Sequence, residues 1–449
     1  MLTDGWDGER AVDAATLDAR TAAVAAALAE RGVAPGDRVL WCARATLPSI
    51  VALLGVLRAG AVLVPVGPSA TDAEIDHVVA DARPALALSD RARPDALGGG
   101  TVSLGIEELA RAAGRTRPIA GPVRQPGDDA LIVYTSGTTG RPKGAVHTHA
   151  SVLAGASALL AAWEWTPEDR LMLCLPLFHV HGLCAGLFGT LAAGASAAVF
   201  DRFDEAAILG AAGTSTMFFG VPTMYHRLAA TGEASLLGAL RLCVSGSAPL
   251  APDLWHRLSA DGVDVLERYG MTETLLTLSN PLVGERRPGS VGVPLPGVEA
   301  ALDGADENGI GELLVRGAPL CRGYWGRDDF LTGGWFATGD LVSVAGDGYV
   351  TVRGRRTDLI ITGGHNVYPA EVEAVLSRHP GVVEVAVVGL PSAEWGETVV
   401  AYVVGDPNLS SLRELAATEL APFKCPRELR LVDALPRNAL GKVVRAELR

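Results

Sequence analysis

The first 265 residues alternate between short apolar runs and longer stretches of helical composition. Arg38–Cys42 and Ala61–Val66 are nearly continuous apolar runs, which is typical of strands buried on both faces. Asp18–Leu28 is rich in alanine and stops before Gly32, and Ser49–Arg58 is closed by a glycine, so both predict helices. The alternation predicts an α/β fold in which parallel sheets are covered by helices.

The pattern changes near Gly289, where glycine and proline become frequent and the apolar runs shorten. Glu312–Arg316 and Tyr349–Val352 predict strands of a β-rich subdomain. After Gly354 the chain predicts a compact α+β module, with helices at 371–378 and 410–420 and strands at 382–388 and 398–404. We therefore expect a large N-terminal domain over residues 1–354 and a small C-terminal domain over residues 355–449.

One stretch raises the question of a membrane span, because residues 171–200 contain no Asp, Glu, Lys or Arg. A spanning helix needs about 20 apolar residues. Pro176, two histidines and several glycines interrupt the stretch, so it favours a buried strand, a loop and a buried helix. The N-terminus has no basic region followed by an apolar run, which favours a cytoplasmic protein without a signal peptide.

Charge and cysteine content narrow the class of protein. The 449 residues include 38 basic and 51 acidic side chains, a net charge of −13, which argues against non-specific nucleic-acid binding. Residues 422–449 nevertheless contain seven basic and three acidic residues, so a basic tail remains for small polyanionic ligands. Six cysteines without a close CxxC pair favour reduced thiols over a disulfide framework or a zinc ribbon.

The most informative segment is the loop at residues 134–144, Tyr-Thr-Ser-Gly-Thr-Thr-Gly-Arg-Pro-Lys-Gly, which follows the apolar strand Ala130–Val133. Its glycines let the backbone approach a ligand closely, its hydroxyls add donors, and Lys143 adds a positive charge. The GxxxxGK[ST] spacing is absent, so the loop is not a Walker motif. The combination favours a phosphate cradle over a polar hairpin tip.

This loop is the first of six motifs whose order resembles that of the adenylate-forming enzymes, the superfamily of acyl-CoA synthetases, firefly-luciferase-like enzymes and peptide-synthetase adenylation domains. The other five motifs are Tyr269-Gly270-Met271-Thr272-Glu273, Thr338-Gly339-Asp340, Gly354-Arg355 through Asp358, Gly363–Glu373 and Pro436–Lys442. The resemblance extends from about residue 17 to the end of the chain. It implies an enzyme that uses ATP, Mg²⁺ and coenzyme A (CoA).

The resemblance also assigns residues. Those it implies for ATP and AMP binding are Thr135, Ser136, Gly137, Thr138, Thr139, Gly140, Lys143, Ser247, Ala248, Arg268, Tyr269, Gly270, Met271, Asp340 and Arg355. Those it implies for catalysis are Thr272, Glu273 and Lys442. The residue types suit these roles. Lys442 is expected to neutralise the charge that develops where a carboxylate attacks the α-phosphate, and Glu273 is expected to bind the magnesium ion.

The superfamily works in two steps: an acid and ATP give an acyl-adenylate and pyrophosphate, and a thiol then displaces AMP. The C-terminal module is expected to rotate between the steps. The hinge position is Thr357, where many relatives have Asp or Lys. Gly363, Gly364 and His365 are expected to line the channel for the CoA thiol.

The acid is a separate question. The segments 220–227, 267–274, 279–281 and 286–289 resemble malonyl-CoA synthetases. A dicarboxylate requires a cation for its distal carboxylate, and a guanidinium group matches a carboxylate bidentately. The acyl-site candidates are His179, His181, Val221, Arg227, Leu276, Ser279, Arg286 and Arg287.

Several alternatives stay open. Because Leu275, Leu276 and Leu278 are apolar, a medium-chain fatty acid remains a candidate substrate. A carrier-protein-loading adenylation enzyme with its carrier on a separate chain, and a catalytically silent nucleotide-binding relative, are two further hypotheses. The pairs His147/His149 and His179/His181 favour structural or pocket roles over metal binding, because no third ligand follows at a suitable spacing.

Overall fold

The computed structural model describes residues 1–7, 10–90, 101–118, 121–135, 142–327, 330–437 and 443–449. Its strands are β1 (Leu2–Asp4), β2 (Ala11–Val12), β3 (Arg38–Cys42), β4 (Val62–Pro65), β5 (Leu86–Ser89), β6 (Ser103–Gly105), β7 (Asp129–Tyr134), β8 (Gly144–Thr148), β9 (Arg170–Leu173), β10 (Ser196–Val199), β11 (Met217–Gly220), β12 (Leu242–Ser245), β13 (Val265–Met271), β14 (Leu275–Ser279), β15 (Val293–Pro294), β16 (Val298–Asp303), β17 (Ile310–Gly317), β18 (Gly323–Tyr324), β19 (Phe336–Val344), β20 (Val350–Arg355), β21 (Ile360–Thr362), β22 (His365–Val367), β23 (Val382–Ser392), β24 (Gly396–Gly405) and β25 (Glu428–Leu431).

Its α-helices are α1 (Ala14–Ala29), α2 (Leu47–Ala59), α3 (Asp72–Ala82), α4 (Ile106–Ala113), α5 (His149–Ala162), α6 (Gly189–Ala192), α7 (Glu205–Ala211), α8 (Pro222–Ala230), α9 (Pro252–Ala260), α10 (Pro369–Leu376) and α11 (Leu409–Glu419). A π-helix spans His181–Phe188, and short 3₁₀ helices include Arg356–Asp358 and Arg445–Leu448.

The chain divides into two compact units, residues 1–299 with 315–336 and residues 300–314 with 337–449. These units are defined by the contacts between residues within each of them. The boundary predicted after residue 354 is instead that of the C-terminal domain expected to rotate. That boundary therefore stays a prediction.

The first unit contains two mixed sheets. One has the strand order β18-β8-β7-β4-β3-β5-β6, and the other has the order β15-β14-β13-β12-β11-β9-β10-β1-β2. Strands β3–β6 are parallel to their neighbours, as are β9–β13, while the pairs β7/β8 and β13/β14 are antiparallel. The predicted α/β class with helix-covered sheets is confirmed, and antiparallel strands are added at the edges.

Local chemistry explains the helix boundaries. Thr46, Thr71 and Thr148 each form a capping box at the start of α2, α3 and α5. Gly60 ends α2 in the left-handed conformation, with φ of 81°, as the sequence predicted. The largest apolar core includes residues of α1, α2, β3, β4, β7 and β9, with Trp41 and Trp163 fully buried.

The uncharged stretch at 171–200 forms strand β9, the buried π-helix, α6 and strand β10, so the predicted buried strand and helix are confirmed. Within the described residues, no helix has both the length and the apolar content needed to cross a membrane.

The second unit contains a four-stranded sheet of order β16-β17-β19-β20 and a five-stranded sheet of order β22-β21-β24-β23, with β25 beside β24. Helices α10 and α11 bury Val372, Leu376, Leu412 and Ala416 in the core of the second sheet. The predicted strands at 382–388 and 398–404 are each longer, because they form one antiparallel ladder from Val382 to Gly405.

Candidate active site

The predicted phosphate loop connects β7 to β8, which pair from Asp129/Thr148 to Tyr134/Gly144. The Thr135 N–H donates to the Lys143 carbonyl at 2.9 Å and closes the base of the loop. Ser136, Gly137, Thr138, Thr139 and Gly140 lie outside the described residues, so their phosphate-binding roles stay predictions.

Helix α3 supports the base of this loop, which the sequence did not indicate. The Tyr134 hydroxyl donates to Asp81 at 2.6 Å, and the His77 ring contacts the Pro142 carbonyl at 2.9 Å through Nε2. Burial, together with Asp81, raises the pKa of Tyr134, so the phenol stays protonated and donates. Side chains of one helix, α3, therefore form hydrogen bonds with both ends of the loop.

Thr272 and Glu273 lie in the turn that follows β13, and three groups hold this turn. His147 Nε2 donates to the Thr272 carbonyl at 2.7 Å, the Cys321 N–H donates to the Glu273 carbonyl at 2.8 Å, and the Tyr324 hydroxyl donates to Glu273 Oε1 at 2.8 Å. Burial lowers the pKa of His147 to about 4, so the ring is neutral. His147 thus has a structural role at the predicted catalytic turn.

Glycine is required at position 270 of this motif. A Cβ there would overlap the Leu275 carbonyl, because β13 and β14 approach closely at a bulge between Tyr269 and Gly270. Leu275 itself has φ of 55°, a left-handed conformation that is strained for leucine. Strained backbone of this kind clusters at functional sites, which agrees with the catalytic role predicted for this turn.

Arg268 lies on β13 and is buried, with 4% of its surface exposed. It donates a long 3.4 Å hydrogen bond to Ser247 Oγ, and within the described residues its Nε has no partner. Gly246 lies directly against the guanidinium, where a side chain would overlap it. Burial lowers the pKa of Arg268 to about 9. Ser247, with φ of 71°, and Ala248 are exposed in the turn after β12.

His181 is buried and His179, two residues earlier, is partly buried. Within the described residues, both ring nitrogens of His181 and Nε2 of His179 lack a partner. Burial lowers the pKa of His181 well below its ordinary value, and the neighbouring Arg268 and His179 lower it further. Burial lowers the pKa of His179 to about 4. His181 stacks on Phe219, with ring centroids 6.2 Å apart. Arg268, His179 and His181 thus form a polar cluster in which several nitrogens have no hydrogen-bond partner among the described residues.

The other predicted cations have different surroundings. Arg227 forms an ion pair with Glu205, Nη2 to Oε2 at 2.8 Å, and is half exposed. Arg286 donates to the carbonyls of Asp264 and Leu282 at 2.7 and 2.9 Å, and Arg287 pairs with Glu285 at 2.8 Å. All three arginines therefore have partners already.

Three further acyl-site candidates have packing contacts. Ser279 accepts a hydrogen bond from Trp163 Nε1 at 3.0 Å, Leu276 is buried in the largest core, and Val221 packs partly buried against that core at the start of α8. Arg268 and His181 therefore lie close to one another. Ser279, Leu276 and Val221, in contrast, already have hydrogen-bond or packing partners within the fold. The burial of Arg268 was not predicted, although a charged residue inside the apolar strand 265–271 was a visible signal.

Glu267, beside Arg268 on β13, makes the stability of the protein depend on pH. Its carboxylate accepts from the Gly289 and Leu250 N–H groups at 2.8 and 3.2 Å, and burial raises its pKa from 4.5 to about 7. A raised folded-state pKa stabilises the fold below 4.5, and this stabilisation is lost as the pH rises through about 7. The loss amounts to about 3 kcal/mol.

The Glu267→Gln variant cannot ionise at this position. As the pH rises from 5 to 8, we therefore expect its free energy of unfolding to increase by about 3 kcal/mol relative to that of the parent. Urea denaturation at both pH values measures the difference. A constant difference between variant and parent would contradict the assignment.

The second unit pairs Asp340 and Arg355, two of the residues predicted to bind ATP and AMP. Asp340 and Arg355 are directly opposite on β19 and β20, and Arg355 Nε is 2.9 Å from Asp340 Oδ1. Arg355 also donates to the Thr338 carbonyl at 3.0 Å, and Thr338 Oγ1 accepts from the Asp340 N–H at 3.1 Å. The motifs at 338–340 and 354–355 thus form one polar cluster.

Gly363 and Gly364 form the tight turn between β21 and β22, with φ of 56° and 82°. Two aromatic residues that the sequence did not indicate, Phe423 and Trp395, lie beside this turn. Phe423 stacks on His365 with centroids 4.5 Å apart, and the Gly363 N–H donates to the Trp395 carbonyl at 2.8 Å. Arg427 lies over the Trp395 ring at 3.9 Å. This surface combines flat rings with a cation.

Thr357 lies in the 3₁₀ turn Arg356–Asp358, where the end of the chain holds it. Arg449 donates to the Thr357 carbonyl at 3.2 Å. Arg445 is bound to Glu373 at 2.7 Å and lies 3.9 Å from Asp358. Lys442 lies outside the described residues, and its role and that of the hinge stay predictions.

Comparison with known proteins identifies the family of both parts of the chain. A family model described as AMP-binding enzyme matches residues 3–325, and one described as AMP-binding enzyme C-terminal domain matches residues 371–442. A malonate–CoA ligase of Arabidopsis thaliana is 36% identical, and the alignment covers 93% of this chain and 78% of that protein.

Two solved structures are similar along nearly the whole chain. ATP-bound MatB from Rhodopseudomonas palustris is 38% identical, with 97% of this chain and 92% of that chain covered and a TM-score of 0.92. A malonyl-CoA ligase in a ternary product complex with methylmalonyl-CoA and AMP is 40% identical, with 97% and 96% covered and a TM-score of 0.71. The chain therefore belongs to the AMP-binding enzyme family of the adenylate-forming superfamily, as an AMP-forming acyl-CoA ligase.

Proposed function

We propose that this ligase activates malonate, or a closely related small dicarboxylate, as the acyl-adenylate and transfers it to CoA. The observation that carries the proposal is Arg268, a buried guanidinium without a carboxylate partner among the described residues. Burying an unpaired cation costs free energy, and a substrate carboxylate that binds there removes that cost. Similar proteins named as malonate–CoA or malonyl-CoA ligases support this choice.

The two histidines suit the same ligand. His179 and His181 have pKa values held low by burial, so each is neutral at physiological pH and has one N–H to donate. A carboxylate that approaches Arg268 can accept from these rings as well as from the guanidinium. The cluster therefore provides several donors for one anionic group, which is what the distal carboxylate of malonate requires.

The nucleotide is assigned to the motif residues. Lys143, Thr272 and Glu273 serve the phosphates, Ser247 and Ala248 the adenine side, and Asp340 with Arg355 the ribose. Glu273 fits Mg²⁺, because Tyr324 occupies one carboxylate oxygen and the other remains for a metal that phosphate oxygens also bind. When bound, Mg²⁺ neutralises the pyrophosphate leaving group.

CoA is assigned to the second unit. Gly363 and Gly364 leave room for a pantetheine arm, and the rings of Trp395, His365 and Phe423 suit a flat base. Arg427 adds a positive charge beside Trp395 for a phosphate. This arrangement supports CoA as acceptor more directly than a carrier protein.

A medium-chain fatty acid is the second candidate, suggested by Leu275 and Leu276. Both side chains are buried within the largest apolar core, so their apolar character is accounted for by packing. An acyl chain without a distal carboxylate would also leave Arg268 without a counter-charge. The geometry therefore favours the dicarboxylate.

A substrate panel tests the proposal. Malonate, methylmalonate, propionate and octanoate are compared with CoA and MgATP in one coupled assay, with each CoA product identified by mass and CoA omitted as control. We expect kcat/KM for malonate to exceed that for propionate at least about 100-fold, because propionate leaves the buried Arg268 unpaired. Octanoate as the best substrate would contradict the proposal.

A further inference from the structure

Tyr324 contacts two of the groups that are predicted to act at the phosphates, Glu273 and Lys143. Its hydroxyl donates to Glu273 Oε1 at 2.8 Å, and Lys143 Nζ lies 5.2 Å from the centre of its ring. The two groups are 130 residues apart in the chain, and the sequence motifs did not include the tyrosine. Tyr324 is therefore a physical connection between the end of the phosphate loop and the catalytic turn.

The backbone around Tyr324 is attached to the same two elements. Strand β18 pairs with β8, with Tyr324 opposite Ala145, and the Trp325 N–H donates to the Gly144 carbonyl at 2.8 Å. On the other side, the Cys321 N–H donates to the Glu273 carbonyl at 2.8 Å. Phe330 packs edge-on against the ring, with centroids 5.6 Å apart. The position of Tyr324 is thus set independently of any ligand.

The chemistry of the phenol suits a permanent donor. The phenol of Tyr324 donates to a carboxylate oxygen of Glu273, and a phenol is protonated at neutral pH. A phenol that donates to one oxygen of a carboxylate limits its rotation and leaves the second oxygen directed elsewhere. The face of the ring attracts an ammonium group, which limits the positions that Lys143 samples.

We propose that Tyr324 is a positioning residue that holds Glu273 for Mg²⁺ through its hydroxyl and Lys143 for the ATP phosphates through its ring. This inference rests on the roles proposed above for Glu273 and Lys143. It goes beyond them by assigning a residue outside the recognised motifs and by separating the work of its hydroxyl from that of its ring.

The first experiment measures binding rather than turnover. A non-hydrolysable analogue, α,β-methylene-ATP, is titrated calorimetrically into the full-length parent, Tyr324→Phe, Glu273→Gln and the double variant, with and without Mg²⁺. Tyr349→Phe, a tyrosine in the other unit, is the matched control, and thermal unfolding of each variant checks its fold.

We expect Tyr324→Phe to reduce the gain in affinity from Mg²⁺ about ten-fold, which is typical of a lost hydrogen bond to a charged group. Affinity without Mg²⁺ and the Tyr349→Phe control should stay near the parent values. The double variant should bind no more weakly than Glu273→Gln, because Tyr324 acts through that carboxylate. A Tyr324→Phe variant that keeps the full Mg²⁺ gain, or effects that multiply in the double variant, would overturn the inference.

The second experiment isolates the ring. The chain has three lysines, Lys143, Lys424 and Lys442, so limited acetylation followed by mass spectrometry reports on Lys143 separately. We expect Tyr324→Leu to increase the labelling of Lys143 about two- to five-fold and Tyr324→Phe to leave it unchanged. Equal labelling in the leucine variant and the parent would refute the role of the ring.

Failure of the proposed roles has a different signature. If Glu273→Gln itself keeps the full Mg²⁺ gain, the metal assignment is wrong, and the positioning role falls with it. If Glu273→Gln loses the gain while Tyr324→Phe keeps it, only the positioning role is wrong. The choice of malonate is tested by the substrate panel and is unaffected by either result.

Discussion

Replacing Arg268 with methionine is expected to lower kcat/KM for malonate about a thousand-fold, since removing one partner of a buried charge pair costs about 4 kcal/mol. Methionine keeps much of the length and removes the charge. The same substitution removes a buried cation that has no carboxylate partner among the described residues, so the melting temperature should not fall. Loss of malonate activity together with retained stability distinguishes a binding residue from a structural one. Steady-state kinetics and calorimetry measure the two quantities.

Arg227→Met is the matched control, since Arg227 was one of the arginines that the sequence predicted at the acyl site. It is half exposed and paired with Glu205, so its loss should change kcat/KM for malonate less than about three-fold. A large loss in Arg227→Met together with an unaffected Arg268→Met would reverse the assignment.

Replacing Lys442 with alanine is expected to lower the rate of malonate-dependent ATP–pyrophosphate exchange about a thousand-fold. Removing one group that stabilises charge in a transition state typically reduces the rate by about 10²–10³. Thioester formation from supplied malonyl-adenylate and CoA should be retained, because that step does not form the charge at the α-phosphate. Rapid-quench measurement of each half-reaction separates the two.

Lys424→Ala is the control for this prediction, because it removes another lysine from the same unit. Lys424 is paired with Glu371 at 2.6 Å, away from the predicted catalytic motif in the sequence. Its loss should leave pyrophosphate exchange near the parent rate. Exchange that survives in Lys442→Ala would contradict the catalytic role taken from the motif.

Much of the fold could be predicted from the sequence because local signals and burial agree. Arg38–Cys42 forms the strand that its apolar run predicts, and Gly60 ends α2 where a left-handed residue is needed. Strands 382–392 and 396–405 were predicted too short, because the ladder between them continues into residues that are not apolar. Cross-strand pairing, rather than the local pattern, decides where such strands end.

The candidate site was predictable to the extent that it consists of motifs. Asp340 and Arg355 belong to separate motifs, and the structure pairs them across two strands. The partners of the motifs were not predictable, since Tyr324, Trp395 and Phe423 reach the predicted residues only through tertiary pairing. The sequence assigned Arg268 to the nucleotide because it lies next to a nucleotide motif. Only the structure shows that Arg268 is buried and has no carboxylate partner within the described part of the chain.

Binding of the distal carboxylate of the substrate to Arg268 would be visible in a crystal structure with a non-hydrolysable malonyl-adenylate analogue. We expect the distal carboxylate oxygens to lie within about 3 Å of the Arg268 guanidinium nitrogens, with a ring nitrogen of His179 or His181 also within hydrogen-bond distance. A distal carboxylate that contacts Arg227, Arg286 or solvent, with Arg268 still unpaired, would contradict it.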